Sequence, residues 1–160
     1  MAAGSCLGQA VEPTKFYKLE FVVKEVEGTK VVNSRSYLMT VPVEAPGQNG
    51  PAGGSIRTGS RVPTPTATGA GASAGFNYID VGVSIDCRTL REFQSDVSMY
   101  ISADISSHSI EPNLPAPLIR QNKWSSTVLV PAKKPTVVYA SDDATSKRQL
   151  QLELTATPLR

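Results

Sequence analysis

Histidine and tryptophan occur once each among 160 residues, cysteine twice, and aromatic residues make up 6% of the chain. The single histidine, His108, leaves no cluster of imidazoles for a transition metal. Its neighbours Ser106, Ser107 and Ser109 cannot form a catalytic triad with it by adjacency alone, so His108 reads as a surface-loop residue. Cys6 and Cys87 are too few for a disulfide framework and lack the spacing of a metal site, so they reveal no redox compartment. No run approaches the roughly 20 consecutive apolar residues of a membrane-spanning helix. Charge is also in short supply. Charged residues make up 19% and the net charge is +2, which demands neither a nucleic acid nor an anionic membrane surface as partner.

What the chain does contain is Val, Ser, Thr, Gly and Pro in the places where sheets and turns use them. From Tyr17 onward Tyr17, Leu19, Phe21 and Val23 alternate with Lys18, Glu20 and Lys24, the pattern of a strand with one wet face. Glu27-Gly28-Thr29-Lys30 supplies turn chemistry, and Val31 to Val41 returns with Tyr37, Met39 and Val41 on one face, completing a β-hairpin. The strongest alternation comes later. Ile79, Val81, Val83, Ile85 and Cys87 form one apolar face and Val97, Met99, Ile101, Ala103 and Ile105 another, which predicts two half-buried antiparallel strands.

Further strands are expected at Ser55 to Val62, Leu118 to Val130, Thr136 to Ala140 and Gln149 to Thr157. Pro42 to Gly54, Pro63 to Gly75 and His108 to Pro117 read as loops, and the one helical feature is a short turn at Thr89 to Gln94. The expected fold class is therefore all-β, an antiparallel β-sandwich or curled sheet of about eight short strands. Residues 1–13 are expected to be a flexible tail or the remnant of an export signal, and residues 14–160 a single domain. Cys6 follows small residues and is a candidate lipidation site, although Ala3-Gly4-Ser5 lacks the aliphatic residue such sites carry.

Candidate functional residues are few. Asp142 and Asp143 lack the spaced oxygen ligands of a calcium loop and read as a solvated hairpin turn. Gly69 to Gly75 has the wrong glycine spacing for a phosphate loop and precedes a strand. No catalytic residue, metal ligand or cofactor is expected. Tyr78 and Tyr100, on the polar faces of paired strands, are candidate subunit contacts or else a cross-strand stack. Trp124 is either a core anchor or an interface residue. Lys133, Lys134, Lys147 and Arg148 form a basic rim if the two loops flanking the Thr136 strand are adjacent.

Three ordered blocks resemble the secretin family, the homo-oligomeric channels of bacterial outer membranes that serve type II and type III secretion and type IV pili. Ile56-Arg-Thr-Gly-Ser60-Arg-Val-Pro63 is similar to the Gly, small polar residue and Val-Pro that end an early strand of the secretin core. Tyr78-Ile-Asp80-Val-Gly82-Val-Ser-Ile85 resembles that family's tyrosine, acidic residue, Val-Gly and alternating aliphatics. Thr127 to Val130, a turn and Thr136-Val-Val-Tyr139 resemble its Thr-Val hairpin, and Leu152 to Pro158 its closing Thr-Pro strand. The likeness runs from Ile56 to Pro158, about two thirds of the chain.

There are departures. The family's long gate insert corresponds here to the small-residue run Pro63 to Gly75. Its apolar lip corresponds to the charged stretch Ala140 to Gln149, which hydrocarbon would not accept. The ring-forming domains that precede the secretin core are replaced by the Thr14 to Val41 hairpin. The resemblance thus implies a non-catalytic, exported envelope domain, periplasmic or associated with the outer membrane, whose partners are other protein subunits or itself. It implies no membrane span of its own, though a lipid anchor at Cys6 is compatible with it. A monomeric binding or adhesion module of the same architecture is the alternative.

Overall fold

In the computed structural model the described residues are 14–45, 53–66, 75–114, 116–144 and 146–159. The tail with Cys6 and most of the Pro63 to Gly75 segment lie outside them. The described residues form eight strands and no helix: β1 (Phe16–Glu27), β2 (Lys30–Pro42), β3 (Gly53–Pro65), β4 (Phe76–Phe93), β5 (Asp96–Ser109), β6 (Leu118–Pro131), β7 (Thr136–Asp142) and β8 (Arg148–Leu159). They build two four-stranded sheets in the orders β2-β1-β8-β7 and β3-β4-β5-β6, with every pairing antiparallel.

The alternation seen in the sequence is what fills the core. Tyr17, Leu19, Phe21, Val23 and Val41 of one sheet, with Leu152, Leu154 and Ala156, meet Val83, Ile85, Cys87, Val97, Met99 and Ile101 of the other in one buried cluster. No polar or charged side chain is fully buried among the described residues, so the core is held by apolar burial and the ladders by backbone bonding.

Several expectations from sequence need correction. The strands are longer than expected, because β3 continues through Pro63 to Pro65 and β4 runs on to Phe93. Proline is tolerated in β3 because that strand is an edge. The turn of helix expected at Thr89 to Gln94 is instead a β-bulge between Arg88 and Arg91, with Thr89 at φ 56°. The cause is instructive. The extra residue of a bulge puts the buried Cys87 and Leu90 three apart, a spacing that imitates one helical turn. His108 lies in β5, paired with Ile119, rather than in a loop, and its side chain is exposed.

The two ends of the molecule differ. At one end the start of β1 is clasped to the end of β4: the Tyr17 hydroxyl donates to Glu92 Oε1 at 2.8 Å and Lys15 Nζ to Oε2 at 3.0 Å. The segment after β2 threads the same junction, with Val43 N–H bonded to Lys15 O and Glu44 N–H to Leu90 O, both at 2.8 Å, and Glu44 paired to Arg91 at 3.2 Å. At the other end the second sheet splits. The β4–β5 ladder stops at Val83–Ile105, and Phe76 to Gly82 pair only with β3. Ile79, expected in the core, is 40% exposed, although Val62 opposite it on β3 is buried.

Candidate assembly surface

Among the described residues neither sheet closes, so four strands keep an edge that no other described strand pairs: β2 and β7 in one sheet, β3 and β6 in the other. Their arrangement matters. Gly54 of β3 lies against Met39 and Val41 of β2, while Trp124 of β6 and Tyr139 of β7 stack with ring centroids 5.6 Å apart. One flank of the domain therefore carries the β2 and β3 edges and the opposite flank carries β7 and β6. Because each sheet has an even number of antiparallel strands, β7 and β2 run in opposite directions, as do β6 and β3. A second copy placed beside the first can therefore continue both sheets with antiparallel pairing at both junctions. Open edges of 13 and 14 residues at β3 and β6 are templates for such addition.

The point where the sheet splits is set by a glycine pair. Gly59 and Gly82 face each other across β3–β4. A Cβ on Gly82 would collide with the Thr58 carbonyl oxygen, and one on Gly59 with that of Val81. Gly82 sits at φ 157°, and its N–H donates to Ser106 Oγ at 2.9 Å while that hydroxyl lies 3.3 Å from Gly82 O. The serine side chain thus takes the place of the next ladder bond, and the strands part beyond it. The resulting open dent, about 490 Å³, is lined by ion-paired groups: Arg57 grips Asp86 at 2.7 and 2.8 Å, and Arg61 meets Asp80 at 3.1 Å.

Of the residues singled out from sequence, Tyr78 is 64% exposed on the β3–β4 arm opposite Pro63. Tyr100 is 38% exposed on the outer face of β5 between Arg88 and Thr127. The register keeps them apart, so they do not form a cross-strand stack. Ten residues along β4 separate Tyr78 from Arg88, about 33 Å at ~3.3 Å per residue. Trp124 is half-buried and packed against the core beside Tyr139. The four basic residues form no common rim. Lys133 and Lys134 precede β7 and Lys147 and Arg148 follow it, at opposite ends of a seven-residue strand. Asp142 and Asp143 do lie at the β7–β8 hairpin turn, closed by Asp143 N–H to Arg148 O at 2.8 Å.

Among the described residues no three His, Cys, Asp or Glu side chains converge as a metal site, and no helix is long and apolar enough to cross a membrane. Cys87 is buried, which pushes its thiol up to about 12. The residues that sequence reasoning missed are Glu92 and Ser106. Each acts through a partner on another strand, Tyr17 and Gly82 respectively, and no local pattern marks such a pairing.

No family model and no curated protein sequence matches the chain, but solved structures do. The InvG secretin domain β-barrel from the Salmonella SPI-1 injectisome superposes with a TM-score of 0.61 at 6% identity, over 92% of this chain and 64% of that one. The type II secretin GspD of enteropathogenic Escherichia coli gives 0.56 at 12% identity over 92% and 70%. The V. cholerae type IV competence pilus secretin PilQ gives 0.54 at 10% over 92% and 61%. The chain is thus a secretin-like β-domain, spanning about two thirds of the length of these neighbours. At such identities the likeness is one of fold. With 92% of the chain covered, the β1–β2 hairpin cannot lie wholly outside the match, although the sequence likeness begins only at Ile56.

Proposed function

We propose that this domain is a structural subunit of a bacterial envelope secretion or pilus machine, exported to the periplasm or outer membrane. It joins neighbouring subunits through its sheet edges and performs no chemistry of its own. The observation that carries the reading is the disposition of the four open edges, two on each flank, with strand directions that let both sheets continue into a neighbour. Backbone pairing at two junctions at once would supply the affinity and side-chain complementarity the register. In this reading the side chains that contact a neighbour are Tyr78 and Tyr100, which are exposed, and Trp124, which lies on the edge strand β6. The charged β7–β8 turn and the polar outer faces favour a form without the apolar lip, whose membrane-spanning part another chain would provide.

A polar cavity of about 640 Å³ lies between the sheets at the end away from the clasp, lined in part by Glu25, Arg120, Arg148 and Gln149. It supports a second reading, a monomeric binding module. Light scattering on the purified chain over a concentration series separates the two. Ring-sized or steadily growing particles support subunit assembly, whereas a monomer of 17.0 kDa at every concentration refutes it and leaves the binding module.

A further inference from the structure

The inner faces of the two sheets change character together at the end away from the clasp. In β1 the face that carries Tyr17, Leu19, Phe21 and Val23 continues as Glu25, and across the sheet Glu25 and Ser141 flank Leu150. In β5 and β6 the core residue Ile105 stands opposite Asn122, and the next row on the same face is Ser107 opposite Arg120. Apolar rows thus give way to polar ones on both walls. Stacked sheets lie about 10 Å apart, and between these rows opens the cavity of about 640 Å³. Its volume falls within the range of about 300–1,000 Å³ typical of small-molecule sites.

The chemistry of the lining narrows what fits. It holds two arginines, Arg120 and Arg148, and three carboxylates, Glu25, Asp142 and Asp143, so it offers no net positive charge to an anion. Arg148 lies 3.6 Å from Glu25 and 3.7 Å from Glu27, which balances it within the chain. Asn122 differs. It is half-buried on the inner face, and its side-chain amide makes no hydrogen bond to another described residue, which leaves an acceptor and an NH₂ donor group available. Leu150, packed against the core, and Leu118 supply apolar ground among the polar groups. Amide, carboxylate and guanidinium groups are planar forks that bond two adjacent hydroxyls, accepting or donating as each requires. Leucine methyls cover C–H surface.

The geometry points to a binding site for a small neutral saccharide, held between the inner faces of the two sheets with Asn122 as a principal contact. This deepens the binding-module reading of the cavity and rests on it, though not on the chain staying monomeric, since every lining residue belongs to one chain. An anion meets an excess of carboxylate, and a ligand without hydroxyls strips water from Asn122 without replacing its bonds.

The test titrates the full chain with a panel of neutral mono- and disaccharides, with inorganic phosphate and spermidine as the anionic and cationic comparisons. Saturation-transfer-difference NMR detects a bound ligand whatever the particle size. Fluorescence of Trp124, the single tryptophan, reports occupancy two residues along the same face from Asn122. At least one saccharide should bind in the millimolar range. Asn122→Ala should weaken that binding about threefold to tenfold, as the loss of one neutral hydrogen bond does. Ser107→Tyr, whose ring would occupy the cavity, should abolish it, with far-UV circular dichroism confirming that each variant is folded. If the tyrosine variant does not fold, Asn122→Ala decides alone. A saccharide that binds Asn122→Ala as tightly as the parent overturns the inference. If phosphate or spermidine binds and no saccharide does, the inference falls while the binding-module reading stands. If no probe binds at tens of millimolar, both fall, and the light-scattering result on assembly is unaffected.

Discussion

Breaking the clasp at Tyr17 and Glu92 should cost stability by an amount that depends on pH in two directions. The phenol of Tyr17 is almost fully buried and its hydroxyl donates at 2.8 Å to a carboxylate whose side chain is 30% exposed. Hydrogen bonds to charged groups contribute about 1.5–3 kcal/mol, and partial exposure of Glu92 places this one at about 1–1.5 kcal/mol. The Lys15 contact, with the lysine 67% exposed, adds no more than about 0.5 kcal/mol. A double-mutant cycle of Tyr17→Phe and Glu92→Gln, followed by urea unfolding with Trp124 fluorescence as reporter, should give a coupling of about 1 kcal/mol at pH 7.

The hydrogen bonds from Lys15 and Tyr17 hold the Glu92 carboxyl below its ordinary value of 4.5. Its contribution is therefore whole above pH 4.5 and is lost as the pH falls below that. Burial, and then the bond to Glu92, raise the Tyr17 phenol from 10.0 to about 12. That contribution is whole below pH 10 and is lost as the pH rises through 12. The coupling should accordingly vanish at both extremes. A cycle that reads under about 0.3 kcal/mol at pH 7, or one that shows no weakening anywhere as the pH is lowered from 4.5 until the chain unfolds, would refute the clasp.

Three further outcomes follow from the packing. Gly82→Ala should destabilise the domain by about 2–4 kcal/mol, since its Cβ meets the Thr58 carbonyl at a backbone φ of 157°; a thermal melt within a degree of the parent would show that the arm relaxes freely. Tyr139→Leu should cost about 1 kcal/mol and alter the near-UV signal of Trp124, because it removes the 5.6 Å ring contact that joins the two sheets on that flank. An unchanged Trp124 signal would contradict that packing. Cys87 should resist thiol reagents until the chain unfolds, its thiol being buried and pushed up to about 12. Labelling at the rate of a free thiol in native buffer would mean that the core opens.

The alternations at Tyr17 to Val23, Val81 to Cys87 and Val97 to Ile105 were sufficient to identify the core strands and the all-β class, because a period of two is a local property of where side chains point. The β1–β2 and β7–β8 hairpins were equally legible, since each turn is made by residues next to each other in the chain. Strand ends were not, for identifiable reasons: a bulge imitated a helical turn at Thr89, and Pro63 is compatible with a strand only once that strand is known to be an edge. Sequence order also could not say that β8 lies between β1 and β7, that Glu92 reaches Tyr17, or that Ser106 wedges the strands apart at Gly82. Those relations join residues that are 75, 24 or more positions apart, and only the register of the folded sheets brings them together. The same holds for the four edges: any strand can be recognised by its pattern, but an edge is defined by the neighbour it lacks, which is a property of tertiary structure alone.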